Sequence, residues 1–205
     1  MLTIHHLRIG RSIFTVWLLE ELGLEYKLVE YLRHPETMRA PPELKAIHPL
    51  GKSPIIEDDG LLLTESGAIT AYLLKKYDTE GRFAPDESDL ATWAEYTQWL
   101  HYPEGSVFVP LFLKLLSARA GGEIPLLDMF GDPEVKLHFD HITHKLGDNE
   151  FILGDRISGA DFGITYMVGM GERLGLLAPY PKLAAYLARN QARPAFTAAL
   201  ERGIE

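Results

Sequence analysis

The stretch His48-Pro49-Leu50-Gly51-Lys52-Ser53-Pro54-Ile55-Ile56-Glu57-Asp58-Asp59-Gly60-Leu61-Leu62-Leu63-Thr64-Glu65-Ser66 decides the fold. Ser53-Pro54 precedes the apolar pair Ile55 and Ile56, Asp59-Gly60 suits a tight turn, and Leu61 to Leu63 bring the chain back. That pattern predicts a β-hairpin. A helix then starts at Thr64 or Glu65: Ile69, Tyr72, Leu73 and the stem of Lys76 recur at helical spacing, and the pattern ends near Tyr77.

Upstream, Leu2 to Leu7 reads as a short strand and Ser12 as an N-cap for the apolar run Ile13 to Leu22, which Gly23 closes. Tyr26 to Leu32 alternates well enough for a second strand. A strand, helix, strand order of this length favours parallel pairing, so the first part of the chain is α/β. Downstream, residues 79–88 turn polar around Gly81 and Pro85 and are the best linker. Beyond them no strand alternation recurs. Ala91 to Leu100, Val107 to Ala120, Pro133 to Leu146, Ala160 to Leu174, Pro181 to Asn190 and Pro194 to Glu201 all favour helix. The expected division is therefore 1–78, a linker over 79–88, and an all-helical part over 89–205.

Composition narrows the function. A net charge of -9 repels phosphate backbones and anionic lipid, and no basic patch is concentrated anywhere, so no nucleic acid partner is expected. The apolar stretch Val107 to Leu116 is short and broken by Pro110 and Lys114, so no membrane span is expected either. Nothing at the start reads as a secretory signal, which makes a cytoplasmic location the expectation. The chain has 0 cysteines, so any thiol chemistry must be brought by a ligand.

The element order, the segment His48 to Pro54 and the pair Glu65-Ser66 together resemble the cytosolic glutathione S-transferase superfamily, in particular its serine-type bacterial and fungal members. A distant match supports this: Gly154-Asp155-Arg156-Ile157-Ser158-Gly159-Ala160-Asp161 is similar to the family's capping box, in which Ser158 and Asp161 exchange hydrogen bonds across the first turn of a helix. The resemblance implies a thioredoxin-like N-terminal domain of βαβαββα order with a mixed four-stranded sheet, followed by an all-α domain. It implies glutathione as co-substrate, a small apolar electrophile as second substrate, a homodimer, and no metal.

Residue by residue, the resemblance assigns Ser53, turned outward by a cis Pro54, to pair the cysteinyl amide of glutathione. Ser66 takes the glutamyl carboxylate at a helix mouth, where N-H groups and the helix dipole favour an anion. Glu65 takes the ligand's amine, and Lys52 pairs the glycyl carboxylate as a solvated ion pair worth roughly 0 to 1 kcal/mol. Read without the resemblance, Glu65 and Ser66 are ordinary helix-start residues and Lys52 is surface charge.

Lowering a thiol by about two pKa units takes roughly 2.7 kcal/mol, which one hydrogen bond to the charged sulfur nearly supplies. In serine-type relatives the donor sits in the loop that here reads Arg8-Ile9-Gly10-Arg11-Ser12, and alignment through Trp17-Leu18-Leu19-Glu20-Glu21-Leu22 puts Gly10 at the hydroxyl's position. Three alternatives stand: Ser12 donates, Ser12 only caps the helix, or Arg11 and backbone N-H groups stabilise the sulfur. The missing hydroxyl also favours a rival reading, a non-catalytic protein-interaction module of the same fold.

Trp99, Tyr102, Phe108 and Phe112 are candidates to line the electrophile pocket, although aromatic residues at such spacing usually pack a core. His138, His141 and His144 recur every third residue but drift around a helix without a completing carboxylate, so they do not read as a metal site. Gly169-Met170-Gly171 with Gly175 has the wrong spacing for a dinucleotide loop and reads as helix packing.

Overall fold

A computed structural model of the chain describes residues 1–122 and 124–203. They form two compact units, Met1–Thr79 with Gln191–Glu205, and Glu80–Asn190.

The first unit contains β1 (Thr3–Leu7), α1 (Ser12–Leu22), β2 (Lys27–Tyr31), α2 (Glu43–Ile47), β3 (Ile55–Asp58), β4 (Leu61–Thr64) and α3 (Ser66–Tyr77). The sheet order is β2-β1-β3-β4, with β1 parallel to β2 and antiparallel to β3, and β3 antiparallel to β4. This is the expected βαβαββα arrangement. The β3–β4 turn carries Asp59 at φ 48° and Gly60 at φ 85°, two left-handed residues that suit the twist of a two-residue hairpin loop.

Apolar burial explains why α1 holds its place. Ser12 to Leu19 are all buried, so almost every side of the helix faces protein. A large side chain such as Trp17 or Leu18 contributes about 1.5–3 kcal/mol when fully buried. A further helix of this unit, α9 (Pro194–Gly203), supplies part of the cover: Phe196 meets the Trp17 ring edge-on at 5.1 Å, and Arg193 grips Glu21 at 2.5 and 2.9 Å. By packing, α9 groups with the first unit. Its apolar stripe is legible in sequence, whereas the surface that receives the stripe is not.

Beneath the hairpin, the buried Asp58 carboxylate accepts hydrogen bonds from the Tyr72 and Tyr77 hydroxyls and from the Lys76 ammonium, at 2.9, 2.7 and 2.7 Å. This clasp binds the turn to the outer half of α3. It therefore fixes where the β4–α3 junction falls.

The second unit contains α4 (Leu90–Tyr102), a π-helical turn (Pro103–Val107), α5 (Phe108–Arg119), α6 (Pro125–Leu146), α7 (Gly159–Arg173) and α8 (Pro181–Gln191, whose last residue is allotted to the first unit). Helix α6 starts earlier than the expected Pro133, because Pro125 occupies its first turn and Pro133 is accommodated inside it. The stretch 79–88 contains neither helix nor strand, yet Phe83 is buried, accepts a hydrogen bond from the Gly159 N-H and lies 6.1 Å from Phe162. It is a pinned connection rather than a loose tether. Ser158 and Asp161 make the expected capping box, and a side chain at Gly171 would begin 2.5 Å from the Phe139 ring, which gives that glycine its packing role.

Candidate active site

Working from β3 outward, the Ser53–Pro54 peptide bond is cis, as the resemblance implied. The Ser53 hydroxyl is turned inward: it donates to the His5 carbonyl at 2.7 Å and accepts from the Leu7 N-H at 3.2 Å. Both bonds tie residue 53 to β1. Among the described residues the main-chain N-H and C=O of Ser53 have no hydrogen-bond partner, so the groups left over are those that could pair an extended peptide. Lys52 beside it is exposed and makes no ion pair among the described residues.

At the β4–α3 junction Glu65 adopts φ 70°, ψ 117°, a left-handed conformation that costs a non-glycine residue about 1–3 kcal/mol. Its side chain makes no cap to the helix, is exposed, and meets no cation among the described residues. Ser66 follows as the first residue of α3 and is buried. A strained acidic residue without a protein partner, followed by a helix mouth, is a place for a zwitterion with its amine and carboxylate close together.

The loop from β1 to α1 differs from what the sequence suggested. Ser12 is 0% exposed and is the first residue of α1, and the cap position is held by Arg11 without a side-chain cap. Its hydroxyl lies 2.9 Å from His6 Nδ1 and accepts from the Leu7 N-H at 3.2 Å. Burial keeps His6 below its ordinary range, partly countered by its hydrogen bond to Gly203, so the ring is neutral near pH 7. The Gly203 carbonyl, 3.1 Å from Nε2, can only accept. The ring proton therefore sits on Nε2, Nδ1 is an acceptor, and Ser12 donates to it. The Ser12 hydroxyl is bonded inside the fold and does not cap the helix.

Gly10, where a hydroxyl was expected, has no room for one. A Cβ there would stand 2.7 Å from the Leu7 carbonyl oxygen and 3.1 Å from Arg33 Nη2. Sequence reasoning passed over both His6 and Arg33. No local signal marks His6, since its partner Gly203 lies 197 residues away.

The chain was compared with known proteins. Residues 2–75 match the family model for the glutathione S-transferase N-terminal domain, and residues 128–203 match that for the C-terminal domain. Glutathione S-transferase 3 of Schizosaccharomyces pombe is 31% identical over 98% of this chain and 88% of its own. The chain belongs to the glutathione S-transferase family. A solved transferase from Actinobacillus pleuropneumoniae is similar over 100% of this chain and 93% of its own, at 37% identity and a TM-score of 0.89. A family member from Pseudomonas fluorescens, solved with two glutathione molecules bound, matches at 27% identity and a TM-score of 0.80, over 98% of this chain and 92% of its own. Glutathione transfer is the function of this chain, and glutathione its co-substrate.

In the transferase's second unit, the aromatic candidates separate. Trp99 is buried and stacks on His141 at 5.3 Å, which makes it core. The Tyr102 hydroxyl lies 2.6 Å from His138 Nδ1 and is pushed up to about 12 by burial; burial likewise lowers His138, so the neutral ring accepts from the phenol. Phe108 and Phe112 stack at 5.4 Å, and Phe112 stays 39% exposed. Two of the three spaced histidines thus have aromatic partners. Among the described residues no group of three or more His, Asp or Glu side chains is arranged to hold a metal, and no helix is long and apolar enough to cross a membrane.

Proposed function

We propose that this transferase lays glutathione along Ser53 as an added strand-like partner, holds its amine with Glu65 and its glutamyl carboxylate at Ser66, and pairs the glycyl carboxylate with Lys52. The thiolate is stabilised by Arg11 and by the Ser12 main-chain N-H at the mouth of α1, aided by the helix dipole. It attacks the electrophilic carbon of a small apolar compound, in a detoxifying reaction of a cytoplasmic homodimer. One observation carries this reading: the Ser53 main chain, the Glu65 carboxylate and the Lys52 ammonium are all left without protein partners within one unit. The inward-turned Ser12 hydroxyl supports giving thiol activation to Arg11 and the backbone instead.

Calorimetry at millimolar glutathione, combined with turnover of a model aryl halide, tests the assignment. Binding with turnover is the expected result. Absence of association would remove the proposed site, and binding of glutathione without turnover would favour a non-catalytic module. Sedimentation of the purified chain tests the dimer.

A further inference from the structure

Two non-glycine residues flank the β1–α1 loop in left-handed backbone: Ile9 within it, at φ 54°, and Met38 beside it, at φ 56°. For β-branched Ile9 this is an outlier that the surroundings must hold in place. One side chain holds both. Arg33 Nε donates to the Arg8 carbonyl at 3.0 Å and the Ile9 carbonyl at 3.1 Å, Nη2 donates to the Ile9 carbonyl at 2.9 Å, and Nη1 donates to the Met38 carbonyl at 3.0 Å. The same guanidinium fills the space that a side chain at Gly10 would take.

We propose that Arg33 is a positioning residue for the transfer reaction: its planar fork locks the carbonyls of Arg8 and Ile9, and so aims the Ser12 N-H, which has no partner among the described residues, at the glutathione sulfur. The proposal rests on the reading that this loop faces the thiol. Rigid aim does here what a serine hydroxyl would otherwise do. A donor swung well off line loses most of its value to a thiolate, whereas the rest of the tripeptide is held elsewhere. Other charged or titratable groups around the loop are Arg8, paired with Glu30 of β2 at 2.6 Å, Arg11 at the start of α1, and neutral His6, bonded to Gly203 of α9.

The test is the pH dependence of kcat/KM for aryl halide transfer in wild type, Arg33→Ala and Arg33→Lys, with glutathione affinity measured by calorimetry. Lysine keeps the charge but cannot span the three carbonyls as a planar fork does. Both variants are expected to raise the acid-limb midpoint by about one unit, so that kcat/KM falls about tenfold at about pH 6.5 and recovers near pH 9, while glutathione affinity changes by no more than about threefold. An unmoved midpoint in Arg33→Ala would overturn the proposal. So would a loss equal at every pH, which marks a merely structural residue, or a wild-type profile in Arg33→Lys, which would assign the effect to charge. If circular dichroism shows that Arg33→Ala does not fold, Arg33→Lys decides alone. Wild-type protein that neither binds glutathione nor turns over would sink the underlying functional reading and this inference with it, a result separable from all the others.

Discussion

Ile9 and Glu65 are both left-handed non-glycine residues just ahead of a helix in the same unit, and the fold uses them in opposite ways. Around Ile9 the neighbouring polar groups are spent internally: Arg33 takes the carbonyls, and Ser12 gives its hydroxyl to His6. Around Glu65 the charged group is left unspent, its carboxylate exposed and without a cation among the described residues. The same backbone device can thus lock a loop or present a side chain. What distinguishes the two is whether the protein answers the polar groups itself.

The sharpest way to break this comparison is to give residue 10 a side chain. Gly10→Ser would push a Cβ against the Leu7 carbonyl, and we expect a loss of about 3 kcal/mol in urea unfolding with no gain in turnover. An active, equally stable Gly10→Ser protein would mean that the loop had room for the hydroxyl all along. Next in size is Glu65→Gly, which relieves backbone strain while removing the proposed partner of the ligand's amine. Glutathione affinity should fall about thirtyfold, equivalent to about 2 kcal/mol, while the thermal midpoint holds or rises. Affinity that survives the change would strip Glu65 of its role.

Ser12→Ala comes third. Its hydroxyl bridges His6 Nδ1 and the Leu7 N-H, so removal should cost about 1–2 kcal/mol of stability but leave the midpoint of the kcat/KM profile in place. A raised midpoint would return Ser12 to thiol activation. The smallest effect concerns pH. Folding lowers the pKa of His6, so the unfolded chain binds the proton more readily and stability must fall as pH drops below about 6.5, the ordinary histidine value. His138 adds to the same slope through its own burial. His6→Asn should flatten part of that decline in unfolding measured between about pH 7 and about pH 5.

Much of the first unit was legible because its signals are local. The Asp59-Gly60 turn, the apolar pair at Ile55 and Ile56 and the period of α3 need no distant partner to be read. Short α2 carries too few residues for a period, and the start of α6 was hidden by Pro133, a residue that more often begins a helix than sits inside one. Ser53, Glu65 and Ser66, the residues proposed to meet glutathione, stood out by their motif. The fate of Ser12 did not, because it depends on His6 and on Gly203 at the far end of the chain. The crowding at Gly10 likewise comes from Arg33 folding back across the loop, a contact that neither composition nor periodicity encodes.

The packing of α9 on α1 also bears on synthesis. A ribosome delivers Phe196 long after Trp17, so a nascent chain carries an indole without this part of its cover while the intervening helices are made. The half proposed to hold glutathione is then completed late, and stalled or clipped translation products would display an adhesive apolar face for chaperones to shield.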